Sequence, residues 1–460
     1  MVSIKNLKSL VENAQTEADA RARQTALTLL EAALSSVDPR TLVKSKVGLE
    51  GQWLVVGTLR LSLDSFDRVF VVGGGKASGA MAEALEGILG DRVYAGSVNI
   101  PEGTSREFKT RLIELNEARH PIPDARGLKG VRRILKLLEG LEKNDLVICL
   151  ISGGGSALLP MPQTGISLEE KQSVTSLLLK CGATIDEVNV VRKHISGIKG
   201  GRLASLTYPA SLLCLILSDV VGDPLTSIAS GPTVPDPSTY SEAVEILRRY
   251  GIWDDVPGSV RRYLEDGLEG RNPESPKPGD RRLSTVHNIV IGSNRIALEA
   301  AEEKAKALGF NTLILSSFME GEARHVGTVF AGIAREIAAS DHPLSKPAVV
   351  LAGGETTVTV TGGGRGGRNQ ELVLSSSLRI SGIRGVSVAS IGSDGLDGPT
   401  DAAGAVADGS TVSRALGEGL EPVSYLGDND SYSFFRGLGD LIYTGPTGTN
   451  VNDIMVIVNV

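Results

Sequence analysis

One phrase recurs along this chain: a short continuous apolar run, a glycine-rich polar turn, then a helical stretch. Phe66–Val72 leads into Gly73-Gly74-Gly75-Lys76-Ala77-Ser78-Gly79 and a helix over Ala80–Leu89. Asp145–Ile151 leads into Ser152-Gly153-Gly154-Gly155-Ser156, and Leu212–Leu217 into Ser218-Asp219-Val220-Val221-Gly222-Asp223-Pro224. Short apolar runs separated by helices predict buried parallel strands joined by crossovers. The segment Gly267–Arg282, rich in Gly, Pro and charge, reads as a linker. After it the rhythm resumes, with strands at Asn288–Gly292, Asn311–Ser316, Ala348–Ala352, Val386–Ile391 and Ile454–Val458. Two α/β domains follow, 1–275 and 283–460, with a leading helix over Leu7–Val37 counted in the first. Their polar loops lie at strand C-termini, where open α/β sheets bind ligands.

The chain has 460 residues, 41% of them hydrophobic and 22% charged, which suits a globular protein with a sizeable core. A net charge of −7 without a basic run excludes nucleic acid as a partner, and 4% aromatics argue against a base-stacking surface. Cys149, Cys181 and Cys214 are widely spaced in apolar segments and read as buried small hydrophobes in a reducing compartment. Met1–Lys8 lacks the apolar core of a signal peptide, and no apolar run approaches a membrane span. The expectation is a soluble, cytoplasmic protein with no membrane partner. Oligomeric state is left open, a homodimer among the alternatives.

Five loops carry chemistry. Gly362–Glu371 (G-G-G-R-G-G-R-N-Q-E) follows an alternating run, Thr356–Thr361, that predicts a strand, and precedes a helix. A strand, a glycine loop and a helix start make an anion site, to which Arg365 and Arg368 add fork-shaped donors. The competing reading is a solvated loop with surface arginines. Lys76 follows a glycine triplet at a strand end, where it can reach a phosphate, although no Walker A spacing occurs. Ser152–Ser156 offers backbone donors to an anion, or is a plain βα turn. Asp219, Asp223, Asp394, Asp397 and Asp401 lie in strand-end loops; carboxylates there hold Mg²⁺ beside phosphate oxygens, or cap helices and turns. Asp397 and Asp401 read as caps. Lys193 and Lys199 face either an anionic substrate or solvent. The five histidines are scattered and do not make a zinc site.

Taken together the phrases form a pattern. G-G-G-K-A-S-G (Gly73–Gly79), H-P-I-P-D (His120–Asp124), S-G-G-G-S-A-L-L (Ser152–Leu159) and I-S-G-I-K-G-G-R-L-A (Ile195–Ala204) come first. S-D-V-V-G-D-P-L-T-S-I-A-S-G-P-T (Ser218–Thr233), G-G-R-N-Q-E (Gly366–Glu371), G-S-D-G-L-D-G-P-T-D-A-A-G-A (Gly392–Ala405) and T-G-T-N-V-N-D (Thr447–Asp453) follow. In this order, nearly end to end, the chain resembles the glycerate 2-kinase family with a C-terminal MOFRL domain. The resemblance implies a Rossmann-like three-layer α/β/α N-terminal domain, a smaller mixed α/β MOFRL-type domain, and an active site in the cleft between them. It implies transfer of the ATP γ-phosphoryl group to the 2-hydroxyl of D-glycerate with Mg²⁺ or another divalent cation. The family's catalytic Lys falls on Lys76 and its Arg on Arg368.

Asp219 and Asp394 are then the candidates to hold the metal or act as base. The candidate binding set is Gly74, Gly75, Ser152, Gly153, Gly154, Gly155, Ser156, Lys199, Gly366, Gly367, Asn369 and Asn450. A hydroxypyruvate reductase is the alternative enzyme. It needs a dinucleotide fingerprint, but Lys76 interrupts the glycines and no acid is read at the end of the following strand. A non-catalytic nucleotide-binding protein is the third class.

Overall fold

The apolar runs become strands of two separate sheets in the structure, a computed structural model that describes residues 3–460. Packing divides the chain into two units, 42–291 and 3–41 with 292–460.

The first unit opens with a small antiparallel sheet of β1 (Val47–Glu50), β2 (Trp53–Val56) and β3 (Leu59–Ser62). Its main sheet contains β4 (Arg68–Gly74), β5 (Val93–Pro101), β6 (Ile113–Ala118), β7 (Asp145–Ile151), β8 (Ser211–Leu217) and β9 (Val286–Gly292). The order is β6-β5-β4-β7-β8-β9, and the pairs β6/β5, β5/β4, β4/β7 and β7/β8 are parallel. Every residue of β7 is buried, as a central strand covered on both faces requires. This is the doubly wound Rossmann order, and its direction of winding reverses between β4 and β7. The turns after those two strands, 73–79 and 152–156, therefore flank the crevice where such sheets bind ligands.

The second unit's sheet contains β10 (Asn311–Met319), β11 (Ala348–Gly354), β12 (Val386–Gly392), β13 (Gly404–Asp408), β14 (Leu441–Ile442) and β15 (Asp453–Asn459). Its order is β10-β11-β15-β12-β13-β14; β10/β11 is parallel, and the other four neighbouring pairs are antiparallel. Strand β15 lies in the middle, which brings Asp453 level with Gly354 on one side and Gly392 on the other.

The expected domain limits are corrected at both ends. The N-terminal helix Glu17–Ser36 packs on β12, β15 and the helix Asn294–Ala307, so it belongs to the second unit. Buried Arg23 anchors it: Nε donates to Asp408 at 2.5 Å, and Nη1 and Nη2 donate to Asp440 at 2.7 and 3.0 Å. The segment read as a linker is pinned to the first unit. Ser275 donates to Asp236, Glu274 accepts from the Tyr240 amide, and Asp236 N donates to Pro276 O. Polar composition there reflects side chains that bond inward, and β9 beyond it completes the first sheet.

Thr356–Thr361 is not a strand. Thr357 makes a single bridge with Glu322, and the Thr359 and Thr361 amides donate to the side chains of Glu322 and Asn429. Alternating β-branched residues imitate a strand, but no neighbouring strand is there to pair with. Among the described residues no helix is long and apolar enough to cross a membrane.

Replacing Arg23 with Met leaves Asp408 without its ion-pair partner in the interior. Breaking such a buried pair costs about 3–5 kcal/mol. The urea unfolding midpoint of Arg23→Met is expected to fall accordingly; an unchanged midpoint contradicts the anchoring role.

Candidate functional site

The two turns that flank the crevice are built against each other. A Cβ on Gly75 would fall 2.1 Å from Ser152 Oγ, so only glycine lets the turns approach this closely. Lys76 N then donates to Gly153 O at 2.8 Å and Ala77 N to Ser152 Oγ at 3.0 Å. Gly75 N donates to Asn99 O. The amides expected to cradle a phosphate at Gly75–Ala77 are thus satisfied within the fold, and Gly74 and Gly75 serve close packing.

This packing gathers the side chains. A Cβ on Gly153 would lie 2.2 Å from Asp219 Oδ2, and one on Gly154 would lie 2.9 Å from His120 and 3.2 Å from Lys76 Cγ. Lys76, His120 and Asp219 therefore converge on the Ser152–Ser156 turn. Burial, with the Lys76 charge nearby, lowers the His120 pKa and favours its neutral form.

Beside that turn lies a cavity of about 730 Å³, lined by His120–Pro123, Gly154, Ser156 and the helix Leu168–Lys180. Lys171, Arg192 and Lys199 also line it. Lys199 is 1% exposed and donates to Ala229 O at 2.9 Å; Lys171 is 7% exposed and donates to Met161 O at 3.2 Å. Among the described residues none of the three cations has a carboxylate partner. Glu169, the one acidic lining residue, is exposed and pairs with none of them. Burial first, then mutual repulsion, drives the Lys199 pKa far down and brings Lys171 to about 7 from 10.5. Lys193 is different: it pairs with buried Asp236 at 3.3 Å, so it is a structural residue, neither solvent-facing nor free for substrate.

Lys171 and Arg192 were not singled out from sequence as anion-binding groups. The signal for Lys171 was its spacing from Val174 and Leu178, which puts a charge on the buried face of an amphipathic helix.

In the second unit the amides of the Gly362–Glu371 loop are already taken by side-chain oxygens of Asp428, Asn429 and Asp430. Gly363 N donates to Asp428, Gly362 N to Asn429 and Arg365 N to Asp430. The following helix, Arg368–Ile380, has its first amides filled by Asp397, which accepts from Asn369 N at 3.1 Å and Gln370 N at 2.8 Å. A Cβ on Gly367 would meet Asp397 Cγ at 2.2 Å, so glycine there admits the carboxylate. The anion site expected at this helix start is filled by the protein's own aspartate. Asp397 is a cap, as expected, whereas Asp401, expected to be one as well, accepts from the Tyr432 hydroxyl.

Arg368 forms a fork with Asp453 at 2.6 and 3.0 Å and reaches Glu355 at 2.8 Å. Asn369 Nδ2 bonds both Asp397 and Asp453. Burial raises the Asp453 pKa to about 7, with Arg368 opposing the shift. Asp453 and Glu355 were missed from sequence, although Asp453 closes the quoted T-G-T-N-V-N-D phrase. Arg365 is anchored: it donates to Pro399 O and stacks 4.7 Å from the Tyr432 ring centroid. Arg368, Asp394, Asn450, Gly366 and Gly367 line a cavity of about 720 Å³. Asp394 Oδ1 accepts from Leu396 N, and Asn450 Oδ1 from Asn452 N.

Asp219 and Asp394 belong to different units, and no group of three His, Cys, Asp or Glu side chains among the described residues could hold a metal. One observation favours a shared-ligand site instead. The Asp219 carboxylate lies against the Ser152–Ser156 turn, on which the Lys76 side chain also packs, and Mg²⁺ beside phosphate needs only one or two protein carboxylates.

The fold and these turns define a doubly wound α/β protein with a cation-lined pocket at its switch point, joined to a second α/β unit. The family described as "Domain of unknown function (DUF4147)" matches residues 25–265, and the MOFRL family matches 348–453. The glycerate 2-kinase of Pyrococcus horikoshii is 43% identical, covering 95% of this chain and 97% of its own. The crystal structure of glycerate kinase from Thermotoga maritima superposes with a TM-score of 0.86 at 43% identity, covering 95% of this chain and 99% of its own. An Agrobacterium vitis relative, 42% identical over 95% of each chain, carries a provisional name as a hydroxypyruvate reductase. The chain belongs to the glycerate 2-kinase family with a C-terminal MOFRL domain.

The buried cations have a measurable consequence. The folded-state pKa of Lys171 is depressed, so the unfolded chain binds more protons between about pH 7 and 10.5. The penalty is complete below pH 7 and fades as pH rises. In ligand-free, phosphate-free buffer, Lys171→Met is expected to stabilise the protein by on the order of 2 kcal/mol at pH 6, with the gain shrinking toward pH 10. Calorimetric melting decides it; destabilisation at pH 6 contradicts an uncompensated cation.

Proposed function

We propose that this protein is a glycerate 2-kinase, transferring the γ-phosphoryl group of ATP to the 2-hydroxyl of D-glycerate. The observation that carries the reading is the group of buried cations without carboxylate partners at the switch point. Such a group calls for an anionic substrate, and the chain shares its length and fold with glycerate kinases. Phosphoryl transfer asks for positioning and charge stabilisation with little covalent chemistry.

Lys76 and Arg368 are assigned to the charge on the transferring oxygens. The Ser152–Ser156 turn is assigned to glycerate's carboxylate. Asp219 is assigned to a divalent cation, Mg²⁺ by its chemistry, which when bound would neutralise phosphate charge. Asp394 is the second carboxylate of the assignment, for the cation or the glycerate hydroxyls.

The reductase alternative meets a physical obstacle. Contrary to the sequence reading, an acid does follow the second strand: Glu102 comes directly after β5, held by Arg126 at 2.6 and 2.9 Å. The obstacle is instead the first turn. A dinucleotide's pyrophosphate sits at the start of the first helix, but here Lys76 N and Ala77 N already donate to Gly153 O and Ser152 Oγ.

The test is a pair of coupled assays, ADP formation with D-glycerate and ATP against NADH oxidation with hydroxypyruvate. Glycerate-dependent ADP formation is expected; NADH oxidation in its absence rejects the reading. Lys76→Ala is expected to cut kcat by roughly 10²- to 10³-fold, as loss of one preorganised donor does. Arg368→Lys keeps a charge beside Asp453 but loses the fork, so it is expected to fold and remain slow. Near wild-type kcat in both removes these residues from the mechanism.

A further inference from the structure

The H-P-I-P-D phrase, His120–Asp124, holds one group still without a role. Asp124 closes the loop. Its Oδ1 accepts from Gly127 N at 3.1 Å, capping the helix Ala125–Leu137, and from Arg119 N at 3.3 Å. Pro123 O accepts from Gln172 Nε2 at 2.5 Å, which ties the loop to the helix Leu168–Lys180. His120 is thus held just past the end of strand β6, on a loop bonded at both sides.

Its ring differs from that of His194, whose two nitrogens are engaged by Val190 O and Glu274. Among the described residues no protein group hydrogen-bonds either ring nitrogen of His120. Of the five histidines it alone lines the cavity of about 730 Å³. A half-buried imidazole without a protein partner can exchange a proton with a ligand.

A Cβ built on Gly154 would lie 3.0 Å from His120 Nε2 and 3.2 Å from Lys76 Cγ, so both side chains close over the same point of the Ser152–Ser156 turn. Lys76 is assigned to the transferring oxygens and the turn to glycerate's carboxylate. The 2-hydroxyl sits on the carbon next to that carboxylate and must face the phosphoryl group. It therefore falls between the two, on the side where Nε2 stands. Asp219, also against this turn, is assigned to a cation, and a carboxylate whose charge is met by a cation is a poor proton acceptor.

We propose that His120 is the general base for the acceptor hydroxyl. The assignment rests on the glycerate kinase reading for its substrate. Nε2 takes the proton as the hydroxyl oxygen bonds to the γ-phosphorus. The bond from that phosphorus to the bridging oxygen breaks, and its electron pair leaves with ADP. The proton then passes from the imidazolium to solvent. Burial, then the Lys76 charge, holds the ring's pKa below the ordinary histidine value and keeps it neutral, as a base must be at about pH 7. A γ-phosphate beside Lys76 offsets that charge, so the ring becomes more basic once the triphosphate is bound. The other charged groups lining the cavity are Lys171, Arg192, Lys199 and Glu169.

The test is steady-state kinetics of the wild type and His120→Gln with D-glycerate, ATP and Mg²⁺ from about pH 5 to 9, beside calorimetric binding of each substrate and a melting curve. In His120→Gln, kcat is expected to fall by on the order of 10²-fold or more, with both affinities within about threefold of the wild type. Wild-type kcat/KM is expected to fall on acidification with a midpoint below about 6.5, and kcat with a higher midpoint, because the first reports the free enzyme and the second the loaded one. His120→Gln is expected to lose that limb. Near wild-type kcat in the folded variant, an acid limb that survives the substitution, or lost substrate binding in place of lost kcat overturns the assignment and leaves the kinase reading intact. A folded wild-type chain that does not phosphorylate glycerate overturns both.

Discussion

Two buried lysines, Lys171 and Lys199, with the half-buried Arg192 beside them and no acid among the described residues to meet any of the three, set the terms for the first unit. Lys171, Arg192 and Lys199 each lose hydration on folding, and each raises the cost of the others. The fold tolerates this because buried apolar strands β7 and β8 and the helices around them supply stability from elsewhere. The charge is left where the sheet's winding reverses, beside the turn that also gathers Lys76, His120 and Asp219. An anion bound there would restore the charge balance that folding removes, as the proposed function requires.

The second unit follows the opposite rule. Arg368 is shared between Asp453 and Glu355, and Arg23 between Asp408 and Asp440. Asp397 fills the helix start that would otherwise attract an anion. Its glycine loop is tied down by Asp428, Asn429 and Asp430. The geometry presents Arg368 in a fixed orientation with its charge partly met. That suits a group required to act in the transition state more than to capture free substrate. A guanidinium already held by a carboxylate fork would cost little further ordering in the role proposed for Arg368.

Much of this was legible in the sequence. Continuous apolar runs gave the parallel strands, and the strand-end turns fell at the switch point because connectivity alone puts them there. Boundaries were harder. The Gly/Pro-rich segment at 267–282 looked like a linker because its inward bonds from Glu274 and Ser275 carry no periodic signal. The N-terminal helix joined the distant unit through Arg23, a partnership with Asp408 and Asp440 across most of the chain that no local pattern announces. Glycines misled in one consistent way. At Gly75 and Gly367 they admit a side chain of the protein itself, Ser152 or Asp397, where the motif suggested a ligand. Lys171 was passed over because a charged residue in a helix is usually solvated, although its spacing from Val174 and Leu178 marks the buried face.

The central claim is that the cations and turns of this protein serve phosphoryl transfer to one particular hydroxyl. Phosphorus NMR of the mixture after turnover of ATP with D-glycerate tests it most directly. The account predicts a resonance for 2-phosphoglycerate growing in step with ADP; dominant 3-phosphoglycerate, or ATP left intact by an enzyme shown to be folded, would contradict it.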